Sequence, residues 1–255
     1  MSILSNEIFY WGDSEVELLD GVAKYTILSN GNGSLITSLN SFDTITRIDT
    51  RALSYAFYNC TEIKNISFPE LTRIGPSGLY SAFYNCTGIT GISFPKLTTV
   101  DNGGLYEAFY HCNSITSVSF PELTTIESSG LAGSFTGCSN LTSISFPKLT
   151  SLGSSGLYNT FINCTRLSGS ISFPELTTIG PNGLYYAFSG CTGLNGTISF
   201  PKLTNIDSSG LQNAFYNCRN ITTLRFRKDA QSAVYAASGY STNFGASGAI
   251  MYFNL

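Results

Sequence analysis

Leu141 to Cys164 reads LTSISFPKLTSLGSSGLYNTFINC, and close copies of that stretch recur along most of the 255-residue chain. The copies are indexed by their last residue. Seven cysteines stand at 60, 86, 112, 138, 164, 191 and 218, spaced by 26, 26, 26, 26, 27 and 27 residues. A period this regular predicts a solenoid, in which one supersecondary unit stacks on the next and no single globular core forms.

Each unit opens on an alternating strand such as Ile144-Ser145-Phe146, repeated as Ile66/Phe68, Ile92/Phe94, Val118/Phe120, Ile171/Phe173 and Ile198/Phe200. The apolar residues face inward and the serines outward. Proline follows the phenylalanine at 69, 95, 121, 147, 174 and 201, removing a backbone donor and ending the strand. A Leu-Thr-x-Ile corner comes next (Leu71, Thr72, Ile74), then a Gly/Ser loop (Gly153 to Gly156). Leu79, Ala82, Phe83 and Cys86 stand at i, i+3, i+4 and i+7, as do Leu105, Ala108, Phe109 and Cys112, and this spacing predicts a short helix. Ser77, Ser129, Ser155 and Ser209 are placed to cap it. The residue before each cysteine is Asn59, Asn85, His111, Gly137, Asn163, Gly190 or Asn217, types that tolerate positive φ, which predicts a left-handed stop.

The expected fold class is therefore a β-rich repeat solenoid of about seven 26–27-residue turns, with parallel strands on one face and short helical turns on the other. Identical positions should lie about 4.8 Å apart. On that ladder the residue after proline alternates as Glu70, Lys96, Glu122, Lys148, Glu175, Lys202, which turns like-charge repulsion into pairs and reads as register specificity. Extra residues near Gly169 and Asn195-Gly196 predict bulges at the strand start. Residues 1–33 match no repeat and are expected to cap one end; the solenoid is assigned to 34–226. SFDTITRI at 41–48 is its degraded first copy, with Asp43 where later units carry proline. Residues 227–255 read as a helix, a Gly-rich turn and a final strand that cover the last open layer.

A-F-x-x-C followed by L-x-x-I-x-F-P resembles the BspA-like leucine-rich repeat family over roughly residues 34–226. Gly133-Ser134-Phe135 and Asn159-Thr160-Phe161 depart from it by replacing Ala. The resemblance implies an arc-shaped solenoid used for adhesion or protein recognition, carried on the bacterial surface, with no catalytic residues. The N-terminus MSILSNEIFYWGDSEVELLDG lacks the basic start and apolar run of a secretory signal. The stretch from Ala236 to Ser247 and the closing YFNL are similar to the ends of prophage-encoded repeat proteins, so the expected location is the cell surface or a virion.

Only 11% of residues are charged and the net charge is −3, which supplies no field for nucleic acid and no polybasic anchor for lipid. No apolar stretch is long enough for membrane insertion as a helix. The cysteines lie on the apolar stripe, come in an odd number and form no CxxC pair, so they read as buried inert thiols; a partial disulfide ladder and metal binding are the alternatives. His111, the one histidine, aligns with Asn and Gly and reads as a turn residue. No nucleophile elbow, phosphate loop or paired-carboxylate motif is present, so no enzyme and no cofactor are expected.

Two surfaces are candidates for binding. The sheet face offers small, nearly uncharged residues (Ser67, Ser93, Ser119, Ser145, Ser172, Ser199). The opposite face offers Tyr80/Tyr84 and Tyr106/Tyr110 at i, i+4, joined by Tyr58, Tyr158, Tyr185 and Tyr216. Tyrosines of this kind either anchor interfaces and stack on sugars or simply pack between layers. Ala132 and Thr136 interrupt the stripe in the fourth unit. The expected function is a non-catalytic module that binds a protein or glycan, with a homo-oligomeric or particle-building component of a phage virion as the alternative. A threonine ladder (Thr46, Thr72, Thr98, Thr124, Thr150, Thr177, Thr204) raises ice binding, against which corner spacing and curvature argue.

Overall fold

The computed structural model describes residues 7–11, 14–19, 22–23, 45–237 and 242–254. It is a parallel-strand solenoid of about eight turns. Each full turn contributes two strands. The two-residue corner strands, from Arg47–Ile48 through Asn205–Ile206, join one ten-stranded sheet and pair in register, with Ile126 against Val100 and Leu152. At the N-terminal end this sheet continues into Val22–Ala23, Ser14–Leu19 and Glu7–Trp11, the last two joined antiparallel. The expected boundary between cap and solenoid at 33/34, and Asp43 of the degraded copy, lie outside the described residues.

The longer strands carry the Ile-Ser-Phe pattern and form two doublets, Asn65–Ser67 with Gly91–Ser93 and Ser117–Ser119 with Ser143–Ser145, and then a four-stranded sheet in which Gly169–Ser172, Leu194–Phe200, Thr223–Phe226 and Ile250–Phe253 pair in that order. The register shift between Gly169 and Ile171 is the bulge expected from the 27-residue spacing. The charge alternation has the same period. Lys96 bonds Glu70, Lys148 bonds Glu122 and Lys202 bonds Glu175, each at 2.6 Å. The Glu/Lys row thus forms discrete pairs, the first two across the strand doublets and the third across the first two strands of the four-stranded sheet. Lys96→Glu places a third carboxylate in the row beside Glu70 and Glu122. It is expected to cost on the order of 0.5–1 kcal/mol, less in high salt, as measured by urea denaturation at two ionic strengths.

Two phenylalanine columns fill the interior. Phe57, Phe83, Phe109, Phe135, Phe161, Phe188 and Phe215 stack at 5.0–5.6 Å with rings within 10° of parallel. Phe68 to Phe226 form the second column, and edge contacts such as Phe120 on Phe135 tie the two together.

The tight spacing of the first column decides the backbone beside it, and here the helix expectation is corrected. Helices pack 8–10 Å apart and cannot be stacked at about 5 Å. Leu79, Ala82, Phe83 and Cys86 are buried as expected, but on a ribbon of successive β-turns. N–H groups of Gly78, Tyr80, Ala82, Tyr84 and Cys86 donate three residues back, to Gly75, Ser77, Leu79, Ser81 and Phe83. The alternate N–H groups, of Ser77, Leu79, Ser81, Phe83 and Asn85, donate to carbonyls of Asn102, Gly104, Tyr106, Ala108 and Tyr110 in the next turn. All ten bonds are 2.7–3.2 Å, so the ribbon is cross-linked layer to layer as a sheet is. Every fourth residue is left-handed: Ser77, Ser81 and Asn85 have φ of 53°, 47° and 56°. The serines expected as helix caps are therefore turn residues, and the left-handed stop before each cysteine is one of three such positions per turn.

The cysteines are free and buried. From Cys86 onward each thiol donates to the Phe carbonyl of the preceding turn: Cys86 to Phe57, Cys112 to Phe83, Cys138 to Phe109, Cys164 to Phe135, Cys191 to Phe161 and Cys218 to Phe188, at 2.9–3.2 Å. Where Ser134 and Thr160 replace alanine, their hydroxyls donate in the same sense to Leu105 and Leu131. Burial pushes the Cys112 and Cys218 thiols up to about 12, and those of Cys138 and Cys191 well above the ordinary range. The threonine ladder is also internal bonding: Thr98 Oγ1 donates to Thr72 O and Thr124 Oγ1 to Thr98 O, at 3.0 and 3.1 Å.

At the C-terminal end a 3₁₀ turn (Lys228–Ala230), a seven-residue helix α1 (Gln231–Ala237) and the strand Ile250–Phe253 follow the last repeat. That strand pairs parallel with Thr223–Phe226. Phe244 presents its carbonyl to the Phe215 N–H, where another turn would have presented an alanine carbonyl.

Candidate functional site: a notched tyrosine face

The turn ribbon aims its side chains alternately inward and outward, so positions after the buried Leu and the buried Phe form two outward columns. Tyr58, Tyr84 and Tyr110 stack in one at 4.8 and 4.6 Å. Tyr80 and Tyr106 stack in the other at 4.8 Å and 4°, and Tyr158 and Tyr185 further along at 5.4 Å and 3°. The tyrosines pack on one another and still face solvent, Tyr158 and Tyr216 being 37% and 46% exposed. Burial first, then the neighbouring phenols, pushes the Tyr80 phenol up to about 12 and raises Tyr84 and Tyr185. Tyr106 rises through burial, then Glu107 and the facing phenol of Tyr158.

Two members of this surface escape the sequence reading. Tyr55 packs on Tyr58 and Tyr80, and Tyr186 lies edge-on between Tyr185 and Tyr216. Both occupy left-handed backbone positions, with φ of 58° and 50°, where an aromatic is not expected. Among the described residues, Tyr216 meets the other tyrosines through Tyr186.

The fourth turn, where both tyrosines are missing, is not a flat interruption. It is a notch of about 400 Å³ between Tyr106 and Tyr110 on one side and Tyr158 and Ile162 on the other. Its floor is small because it must be. Gly133 and Gly137 have φ of 66° and 74°, and the side chains of Glu107 and His111 lie over them. A Cβ on Gly137 would sit 2.7 Å from His111 Nδ1, and one on Gly133 3.0 Å from Glu107 Cγ. His111 is a turn residue with φ of 57°, as expected, and also lines the notch with Asn159 and Asn163. Burial raises the Glu107 carboxyl above the usual range. Among the described residues no group of three or more His, Cys, Asp or Glu gathers as a metal site, and no helix is long and apolar enough to cross a membrane.

The family described as BspA type leucine-rich repeat region matches residues 50–184 and 158–243, in six copies. The chain belongs to the BspA-type leucine-rich repeat family. BspA-type regions are generally protein-interaction or adhesion modules, typically surface-associated and generally non-enzymatic. Similar solved structures include a leucine-rich repeat protein from Bacteroides ovatus, 20% identical, with a TM-score of 0.47 over 97% of this chain and 67% of that one. A leucine-rich repeat protein from T. pallidum is 17% identical, with a TM-score of 0.39 over 89% and 92%. An internalin from Listeria monocytogenes is 12% identical, with a TM-score of 0.36 over 78% and 56%. No curated protein matches the sequence.

Proposed function

We propose that this BspA-type chain is a non-catalytic recognition module that acts at a bacterial or virion surface and binds a protein or glycan through its tyrosine face. The observation that carries the reading is the pair of tyrosine columns, stacked face to face and half-buried, with Tyr158 exposed. Stacking holds each ring in one orientation before any partner arrives, so little side-chain entropy is lost on binding. Repetition along the solenoid lets several modest contacts act together.

The test replaces Tyr80, Tyr84, Tyr106 and Tyr110 with serine and compares wild type and variant on arrays of immobilised glycans and extracellular proteins. Binding is expected to fall at least tenfold while circular dichroism stays that of the folded solenoid. Equal binding by both forms removes this face from the function.

A further inference from the structure

We propose that the notch at the fourth turn is a slot for one pyranose ring of a glycan, inserted between Tyr106 and Tyr158 in the place of the missing tyrosine. This rests on the tyrosine face being the recognition surface, and it names the ligand class at one point of that face.

The geometry argues first from spacing. Neighbouring rings in this column are 4.8 and 5.4 Å apart where both are present. Omitting one ring leaves a gap of about 10 Å, twice the strand spacing, which a single flat ring fills with one stacking step to each wall. Both walls are backed by a stacked ring, Tyr106 by Tyr80 and Tyr158 by Tyr185, and Ala132 at the base of the gap is itself buried, so a ligand ring seats above it between the outer parts of the two walls. Among the described residues no other break has two such walls. Gln212 ends the same column with no ring beyond it, and the second column lacks tyrosine for three successive turns, at Thr136, Ile162 and Ser189.

The chemistry around the gap selects a sugar over an aromatic side chain. The C–H bonds of a pyranose carry the positive character that the face of a phenol ring attracts. Its hydroxyls are at once donors and acceptors, and the notch offers both kinds of partner in the Glu107 carboxyl and the His111 imidazole, which lie over the glycines of its floor. A phenyl ring in the same place would cover these groups without bonding them, leaving polar atoms unpaired at a cost. Thr136 does not compete for the ligand, because its hydroxyl already donates to the Asn159 carbonyl at 2.6 Å.

Ala132 occupies the column position between Tyr106 and Tyr158, so Ala132→Tyr should refill the gap with the residue that other turns carry there. Wild type, Ala132→Tyr and Tyr158→Ser are compared on a glycan array, and the strongest saccharide is then titrated calorimetrically against each. Wild type is expected to bind at least one pyranose-containing saccharide. Ala132→Tyr, which blocks the slot, and Tyr158→Ser, which removes a wall, should each weaken it at least tenfold without altering the circular dichroism. Absence of any glycan binding by wild type overturns the proposal, as does undiminished binding by Ala132→Tyr. If Ala132→Tyr keeps a partner that the four-tyrosine variant loses, the face binds but the slot does not, which separates failure of this inference from failure of the broader reading.

Discussion

Phe135→Ala is expected to lower the stability of the solenoid by about 3–5 kcal/mol, the range for deleting a fully buried aromatic ring. Phe135 is fully buried in the middle of the chain. It stacks on Phe109 at 5.4 Å and Phe161 at 5.6 Å, and takes the edge of Phe120 at 6.5 Å. The cavity cannot collapse, because the turns above and below are fixed at one spacing by the alternate hydrogen bonds of the ribbon, including the Phe135 N–H to Thr160 O at 2.9 Å. In a solenoid each layer touches only its neighbours, so the loss is concentrated at one interface. Thermal and denaturant unfolding would check it: two separated transitions, one for each half, show the break at the fourth turn, whereas a single transition shifted by less than about 1 kcal/mol would show that the ribbon repacks.

A steep loss of stability above about pH 9 is the second large effect. In the folded chain Cys112 and Cys218 hold their protons to about 12, and Cys138 and Cys191 are raised in the same sense, all mainly through burial. In the unfolded chain the same thiols ionise near the ordinary value of 9.0. Below pH 9 both states are protonated and the contribution is fully present. Between 9 and 12 only the unfolded chain releases protons, so stability falls as pH rises, by up to roughly 1.4 kcal/mol per pH unit for each such thiol. The raised tyrosines act in the same direction above pH 10. Denaturant midpoints at pH 7.5, 9, 10 and 11 would check this, with thiol alkylation in parallel. Buried thiols should react only as fast as the chain opens; a flat pH profile with rapid alkylation at pH 8 would mean that they are accessible.

Much of the architecture is legible in one dimension because a repeat compares each residue with its own counterparts. Ile66 and Phe68 recur in register, and Phe83 and Cys86 fall on the apolar stripe. The cysteine count, with no paired spacing, points to inert thiols. The tyrosine face is legible in the same way, by its fixed offsets from the buried Leu and Phe. The notch is not: in sequence, Ala132, Gly133, Thr136 and Gly137 read as a weakened copy. Only when Tyr106 and Tyr158 stand two layers apart with nothing between them does the weakened copy become a cavity. Glu107 and His111 join the site because glycines 26 residues away leave room for their side chains.

The sequence by itself determined that the chain is a stack of 26–27-residue units, which residues face inward, where proline ends the strand and where the repeat gives way to a different C-terminal segment, because burial and backbone restriction are properties of individual residues and their spacing. Tertiary structure decided what those units become on the tyrosine side. The stripe Leu79, Ala82, Phe83, Cys86 suits a helix or a turn ribbon equally well, and the choice falls to the distance between layers. At the 5.0–5.6 Å of the phenylalanine column there is no room for a helix, so half of the N–H groups turn to the next layer. The same short distance stacks the tyrosines into walls and makes one missing pair a slot.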